Sequence, residues 1–364
     1  MTLIVKRVFL TLILLSIATR FAIAREGSSD SNGGKKEKID LVTHVLDHYY
    51  LDFEPAGKME LPRILWDHGS LHIYSSTTAA INSGDGYTDK YYTEKGHEVQ
   101  HGNGKIEPVT YDIVHDDGTP VGLDLSITSH LVFFFLSGFI TLFVVLFLNK
   151  RYRNGIGRKT APKGGFQNTI ETLVVFVRDE IALTNIGPDK YLKYTPYLLT
   201  AFFMILIMNL FSLVPWAAPA TADITVTAAL ATTTFLITQI SGTKAYWKEI
   251  FWYPGVPILI KPILAIIEFI GLFTKPFALC IRLFANMSSG KLLILSVISL
   301  IFVFNMTFGK VMAYGTSWIW VLMTLFVFAI KFLVAFIQAY VFTILSALFI
   351  GMAVAEHHPE SAQH

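Results

Sequence analysis

A single arginine stands inside a long apolar stretch of the chain. Arg282 lies within the run from Lys275 to Gly290, and apolar residues continue on both sides of it. Its guanidinium stays protonated at any physiological pH, so the charge cannot be shed. A cation at the depth of a bilayer costs roughly 2.5–3.5 kcal/mol on insertion scales, and such residues normally face a protein partner or water. Arg282 is therefore a candidate functional residue.

Other polar residues share a face with Arg282 if this stretch is helical. No turn signal divides residues 256–304, so we predict one long, tilted helix with a kink site at Pro276. It would be about 73 Å long at ~1.5 Å per residue, against about 30 Å of hydrocarbon. At about 100° per residue, Lys291 points about 180° away from Arg282. Four polar residues lie within roughly 40° of one another, and these are Glu268, Lys275, Arg282 and Asn286.

These charges also have ordinary explanations, namely a snorkelling cation or an internal salt bridge. Snorkelling suits Lys275 near the aqueous boundary. It suits Arg282 poorly, and the chain offers no convincing buried acid opposite that residue. We therefore infer a carboxylate on a partner, neutral in lipid and ionised only beside Arg282, because an opposite charge lowers a carboxyl pKa. Arg282 would then prevent protons from passing straight through the membrane.

Four strings of sequence resemble one known family. They are FMILIMNLFSLVP (203–215), TADITVT (221–227), KPFALCIRLFANMSSG (275–290) and FIQAYVF (336–342). In this order they are similar to subunit a of the F-type ATP synthases, the stator channel beside the rotating ring of c subunits. The resemblance covers residues from about Leu131 to Ala355.

The resemblance implies a proton-translocating stator subunit with two offset half-channels and Arg282 between them. Asn286 and Gln338 are then its polar neighbours, and Glu268 resembles the acid of the cytoplasmic half-channel. Asn209 and Asp223 resemble residues near the outer half-channel, although an interhelical amide bond for Gln338 and a helix N-cap for Asp223 remain alternatives. The implied partners are the c ring, the peripheral-stalk b subunits, the remainder of the ATP synthase and the lipid bilayer.

Three positions depart from the family pattern. Lys291 stands where relatives usually have an acid or a histidine, Lys331 occupies another titratable position, and Ser212 replaces an aspartate of some relatives. Two charged lysines cannot lie close together without a counter-anion. Either one lysine is neutral, or Asp223 or a lipid pairs with it. The departures concern the outer path and leave the role of Arg282 unchanged.

The whole composition is that of a membrane protein. Of 364 residues, 53% are hydrophobic and only 15% charged, and the mean hydropathy is +0.51, which excludes a soluble globular protein. We predict an all-α membrane domain (128–355) with about five transmembrane helices, the last two long and strongly tilted. The predicted spans are Leu131–Leu148, Tyr197–Val214, Ile224–Ile240, the Arg282 helix and Trp318–Ala355. A cytoplasmic loop is expected over residues 244–253.

Charge sets the predicted orientation in the inner membrane of a bacterium. Six cations follow the first span and mark the cytoplasmic side, and their place beside the membrane argues against a nucleic-acid patch; they are Lys150, Arg151, Arg153, Arg158, Lys159 and Lys163. Apolar residues at helical spacing from Phe166 to Ile181 predict an in-plane amphipathic helix. Five spans then leave the N-terminal domain extracytoplasmic and the tail (356–364) cytoplasmic.

The N-terminal part differs in composition. Residues 1–24 are typical of a secretory signal peptide, with a retained anchor helix as the alternative. Residues 25–127 begin with a Ser/Gly/Lys/Glu-rich linker and predict a small, partly β extracytoplasmic domain. Its seven histidines are interpreted as solvated side chains, although the spacing of His44 and His48 could suit a metal; they are His44, His48, His68, His72, His97, His101 and His115.

Three classes of function compete. The chain has no phosphate-binding glycine-rich loop, no cofactor motif and no nucleophile or metal cluster in its spans, so we predict no catalytic site of its own. An ion-coupled secondary transporter is the alternative, but it predicts internal repeats and paired broken helices, which the sequence lacks. The single cysteine, Cys280, excludes an intramolecular disulfide and suits packing. The sequence leaves open the choice between proton and sodium and the working direction.

Overall fold

The computed structural model describes residues 49–52, 58–89, 113–115, 119–153, 164–214, 217, 220–252 and 260–355. Several predictions lie outside the described residues and stay predictions. They concern the signal segment (1–24), the linker (27–38), the tail (356–364), four histidines and three cations, namely His44, His48, His97, His101, Arg158, Lys159 and Lys163.

Short antiparallel strands build the N-terminal region, as its alternating pattern and turn residues predict. A three-stranded sheet has the order β4-β3-β7 and two further sheets are two-stranded, β1-β2 and β5-β6, with helix α1 between β4 and β5. The elements are β1 (Tyr50–Asp52), β2 (Lys58–Glu60), β3 (Arg63–Asp67), β4 (Ser70–Tyr74), α1 (Thr77–Ile81), β5 (Tyr87–Asp89), β6 (Ile113–His115) and β7 (Leu123–Asp124).

A buried arginine connects three of these elements. Arg63 is fully buried, and its guanidinium donates to Thr77 Oγ1 at 3.0 Å and to Asp124 Oδ2 at 3.2 Å. Its Cζ also lies 3.2 Å from the centre of the Tyr49 ring. A buried charge is tolerated only when it is paired and hydrogen-bonded. Arg63 therefore joins β3 to α1 and β7.

The turn between β3 and β4 contains only His68 and Gly69, both with positive φ, at 44° and 80°. Such a pair is typical of a type I′ hairpin turn, which matches the twist of the two strands. Asp67 ends β3 beside this turn. Burial alone raises the pKa of its carboxyl. The Gly122 N–H, the two nearby imidazoles of His115 and His68 and the Tyr87 hydroxyl together lower that pKa below its ordinary value.

The remaining described chain is almost entirely helical. The helices are α2 (Ser129–Arg153), α3 (Gly165–Phe176), α4 (Thr184–Ile186), α5 (Tyr191–Phe211), α6 (Ile224–Ser241), α7 (Lys244–Phe251), α8 (Lys261–Phe308) and α9 (Lys310–Val354). A π-helical segment, Val177–Leu183, links α3 to α4, and a 3₁₀ turn, Ala220–Ala222, precedes α6. Within the described residues, five helices are long and apolar enough to cross a membrane, which agrees with the predicted number.

Helix α7 corrects the predicted loop at residues 244–253. Residues Lys244–Phe251 are helical because Thr243 caps them, its Oγ1 accepting the Tyr246 N–H at 3.3 Å. The N–H of Thr243 donates to the Ala353 carbonyl at 2.9 Å. Since Ala353 lies near the C-terminal end of α9, this bond holds the start of α7 against that end of α9.

The segment predicted as an amphipathic helix is helical, with one π-helical stretch inside it. Val177, Ile181 and Ala182 are fully buried and pack toward α5 and α9. On the other side, Arg178 and Asp179 form an exposed ion pair with Nε–Oδ1 at 2.6 Å. Buried apolar residues and an exposed ion pair thus both occur in this segment, and its amphipathic character and its placement in the plane of a membrane stay predictions.

Helices α8 and α9 have 48 and 45 residues, so both exceed the thickness of a bilayer. Helix α8 is one continuous helix that includes Pro276, as the lack of a turn signal predicts. Helix α9 begins eight residues earlier than the predicted Trp318, because a single residue, Gly309, connects the two helices. Gly309 has φ 82°, a conformation that glycine adopts without strain. The two helices pack along each other over a long surface.

Candidate functional site

Arg282 lies on the exposed face of α8. The neighbouring Leu279 and Leu283 are buried, whereas the Arg282 side chain is exposed. Among the residues that the structure describes, none forms a hydrogen bond or an ion pair with its guanidinium. The carboxylate of a partner subunit beside Arg282 stays a prediction.

Small residues flank Arg282 along the same face. Thr274, Ala278, Ala285 and Ser289 are all exposed and follow one another at intervals of about one helical turn. Short side chains leave a shallow groove in which another helix can approach closely. Arg282 is thus a long, charged side chain placed among these short ones.

A network of amides and a lysine joins α8 to α9 just beyond Arg282. Asn286 Nδ2 donates to Gln338 Oε1 at 2.7 Å, and Lys331 Nζ donates to the Asn286 carbonyl at 3.2 Å. Gln338 is only 3% exposed, and its Nε2 has no hydrogen-bond partner among the described residues. Gln338 therefore makes an interhelical bond, and its role beside Arg282 stays a prediction.

Gly290 makes room for the lysine of this network. A Cβ at position 290 would lie 2.7 Å from Lys331 Nζ and 2.8 Å from Cε, closer than side chains can approach. The absence of a side chain therefore lets Lys331 lie across α8 and reach the Asn286 carbonyl. Lys331 is a neighbour of Asn286, a contact that the sequence did not predict.

Lys291 has different surroundings from Lys331. Its Nζ lies 3.5 Å from the Ala217 carbonyl, in the connection between α5 and α6. This position agrees with the helical-wheel prediction that Lys291 points away from Arg282. The two lysines therefore have separate backbone carbonyls as partners.

Asp223 has two roles in the structure. Its Oδ1 accepts the Thr225 N–H at 2.8 Å, so it is the N-cap of α6. Its Oδ2 lies 3.9 Å from His130 Nδ1 at the start of α2. His130 is 3% exposed, and sequence reasoning missed it because it lies outside the four family strings and one residue before the first predicted span. The signal that could have found it is an ionisable residue at the edge of an apolar span.

Asn209 is buried at the centre of three helical elements. Its Nδ2 donates to the Ala335 carbonyl at 3.3 Å, and its Oδ1 accepts the Thr221 hydroxyl at 3.2 Å. Ser212, one turn further along, donates to the Asn209 carbonyl at 2.6 Å. The amide of Asn209 is thus engaged at both ends, and it connects α5 with α9 and the 3₁₀ turn.

A cavity of about 330 Å³ lies beside the N-terminal half of α8. Glu268 and Lys275 line it from α8, Gln239 from α6 and Tyr246 from α7. Glu268 precedes Arg282 by fourteen residues, which is about 21 Å along the helix. Helix α7 thus supplies, through Tyr246, part of the wall of the cavity that Glu268 and Lys275 also line.

The predicted site residues therefore form two groups on opposite sides of Arg282. Glu268 and Lys275 line the cavity toward the N-terminal end of α8. Toward the other end lie the amide network, the two lysines, Asn209 and the Asp223–His130 pair. The chain is therefore an α-helical membrane protein in which ionisable groups lie on both sides of the exposed Arg282.

Comparison with known proteins identifies the family. The model of the family described as ATP synthase A chain matches residues 131–351, and the chain belongs to this family. It is 45% identical over 348 residues to ATP synthase subunit a of Chlorobium phaeobacteroides (strain DSM 266), an alignment that covers 94% of this chain and 82% of the relative. The corresponding protein of Chloroherpeton thalassium is 38% identical over 330 residues, covering 90% and 80%. That of Myxococcus xanthus is 44% identical over 248 residues, covering 66% and 78%.

Membership confirms the family resemblance. The chain is a non-catalytic membrane subunit of a bacterial ATP synthase complex, with a role in the membrane sector and in proton transport.

Proposed function

We propose that this chain provides two offset half-channels for protons, which lead to and from carboxylates on a ring of partner c subunits, with Arg282 as the fixed charge between them. The observation that carries the proposal is the state of Arg282 itself. It is an exposed cation on a helix face of small and apolar residues, and the described part of its own chain supplies no partner for it. A carboxylate from another subunit is the natural counter-charge.

The electrostatics of such a pair explain why protons must travel with the ring. A carboxyl group in lipid is neutral, and the Arg282 guanidinium favours its ionised form. Each carboxyl therefore releases its proton as it approaches Arg282 and takes up another after it has passed. Protons can then cross the membrane only when a carboxyl group of the ring carries them. A membrane potential drives this transfer with about 2.3 kcal/mol per charge per 100 mV.

Glu268 is the proposed proton acceptor of the cytoplasmic half-channel. It lines a cavity large enough for several waters, together with Lys275 and Tyr246. The Thr234 and Thr238 hydroxyls that border this cavity already donate to carbonyls of their own helix, Leu230 and Thr234. Glu268 is then the ionisable acid of the cavity lining.

The outer half-channel is proposed on the other side of Arg282. Asp223 and the buried His130 form its entrance, and Lys331, Asn286 and Gln338 form its inner end. Lys291 lies alongside this path, while Asn209, engaged at both ends of its amide, holds α5 and α9 in position.

The orientation is proposed from charge and parity. Three cations end α2, and they place that end on the cytoplasmic side; they are Lys150, Arg151 and Arg153. Five crossings then leave the β region outside and the end of α9 inside. The α3–α4 segment lies in the plane of the cytoplasmic surface, α8 and α9 cross with a strong tilt, and the b subunits stay a prediction from the family resemblance.

The test uses membrane vesicles that contain the whole ATP synthase and measures ATP synthesis driven by an imposed proton gradient. Arg282→Ala should abolish synthesis, and Arg282→Lys should fail as well, because the planar guanidinium fork is lost. Lys310→Ala is the matched control, since it removes an exposed cation at the far end of the helix pair. Undiminished synthesis by Arg282→Ala would refute the proposal.

A further inference from the structure

Three potential metal ligands meet at one end of the three-stranded sheet of the N-terminal region. Asp67 ends β3, His68 is the first turn residue after it, and His115 ends β6. His115 Nε2 lies 3.1 Å from Asp67 Oδ2, and His68 Nε2 lies 3.7 Å from the same oxygen. The three ligand atoms all lie within 4.8 Å of one another.

We propose that Asp67, His68 and His115 bind a zinc-class divalent cation, with a fourth position open to water. Ligands at 2.0–2.2 Å around a tetrahedral zinc lie about 3.4 Å apart, and the two measured separations bracket that value. Two imidazoles with one carboxylate are a typical ligand set for zinc, whereas magnesium and calcium take oxygen ligands.

Surrounding groups hold the ligands in place. The second oxygen of Asp67 accepts the Gly122 N–H at 3.4 Å, and Tyr87 donates to Oδ2 at 3.3 Å. The Tyr87 ring stacks on His115, with centroids 5.4 Å apart and planes inclined by 30°. Outer contacts of this kind fix the orientation of ligands in metal sites.

The three ligands differ in their exposure to solvent. His68 is open to solvent, with 87% of its side chain exposed, whereas the side chain of His115 is 19% exposed and that of Asp67 only 8%. The site thus has two fixed ligands on the inside and one accessible ligand on the outside. A cation can enter from solvent, and His68 closes over it.

Binding would also have a mechanical consequence. His115 belongs to the two-stranded sheet β5-β6, whereas Asp67 and His68 belong to the β3-β4 hairpin. A shared cation would link the two sheets across a sequence separation of about fifty residues. The solvated interpretation of His68 and His115 from the sequence missed this arrangement because it is built across sheets.

The test measures zinc bound to the full-length chain, purified within the intact complex, stripped with a chelator and dialysed against a fixed concentration of free zinc. His68→Asn is the main variant, because asparagine also favours positive φ at this turn position and keeps the hairpin. His115→Gln removes the second imidazole. His72→Gln is the matched control, since His72 lies on the adjacent strand but outside the ligand set.

The wild type and His72→Gln should each bind one more zinc ion per chain than His68→Asn or His115→Gln binds. A large excess of Mg²⁺ should not displace this zinc ion. At subsaturating zinc, His68→Asn should weaken the site at least about tenfold. Equal zinc binding by the wild type and His68→Asn or His115→Gln would overturn the proposal, and so would an equal loss in His72→Gln.

Discussion

Replacing Gly290 with alanine should displace the ammonium of Lys331 while leaving the helix intact. The new methyl carbon would lie 2.7 Å from Nζ, and ordinary contacts begin near 3.4 Å, so the lysine must retreat by about 0.7 Å. Its hydrogen bond to the Asn286 carbonyl, now 3.2 Å long, would then exceed bonding distance. One added carbon thus tests whether the position of Lys331 matters.

The expected magnitudes separate function from stability. Losing a hydrogen bond from a charged donor costs about 1.5–3 kcal/mol, and the lower value suits a partly exposed lysine. Alanine in place of glycine recovers about 1 kcal/mol of helix propensity, so the stability of the subunit should change little. If Lys331 delivers protons in the outer half-channel, a 1.4 kcal/mol loss at that step would slow it about tenfold.

The assay is ATP-driven proton pumping into inverted vesicles, with the amount of assembled complex measured in parallel. Gly315→Ala is the matched control, because a Cβ there meets nothing within 4 Å on the second long helix. In a Lys331→Ala background, where no ammonium remains to be displaced, Gly290→Ala should cost nothing further. The reasoning fails if Gly290→Ala pumps as well as Gly315→Ala, or if its effect persists in the Lys331→Ala background.

Two further predictions concern the ends of the proton path. Glu268→Gln keeps the shape of the cavity but removes its acid, so pumping should fall at least about tenfold (~1.4 kcal/mol), whereas Glu180→Gln, an exposed acid on the π-helical segment, should pump normally. Normal pumping by Glu268→Gln would remove this residue from the path. His130→Gln and Asp223→Asn should each reduce ATP synthesis, and the double variant should be no worse than the poorer single one, because the pair acts as a unit. Additive losses in that cycle would contradict a shared role for His130 and Asp223.

The long helices and their arginine were predictable from local sequence. Residues 261–308 contain no turn signal, so a single helix through Pro276 followed directly from an unbroken apolar pattern. The exposed state of Arg282 followed from the cost of a cation in lipid. The assignment of Asn286 and Gln338 as polar neighbours of Arg282 came from the family resemblance and stays a prediction, whereas the 2.7 Å bond joins these two amides to each other.

Contacts between distant parts of the chain were not predictable in the same way. The Asp223–His130 pair and the Lys331–Gly290 contact each join residues at least forty positions apart, and no periodicity records such proximity. The α7 error has a local cause, since charged and aromatic residues suggested a surface loop while the cap at Thr243 was overlooked. The histidines of the β region were interpreted one by one, although two of them share a carboxylate.

Passive proton flow through the membrane sector tests the central claim most directly, because the account makes Arg282 a barrier as well as a partner for carboxylates. Vesicles stripped of the catalytic head should be compared for wild type, Arg282→Ala and Lys310→Ala, with flow driven by a potassium diffusion potential. The account predicts that Arg282→Ala vesicles still conduct protons although the intact complex makes no ATP, since the two half-channels are then no longer separated. ATP synthesis by Arg282→Ala at the wild-type rate, or a complete loss of passive conduction in that variant, would contradict it.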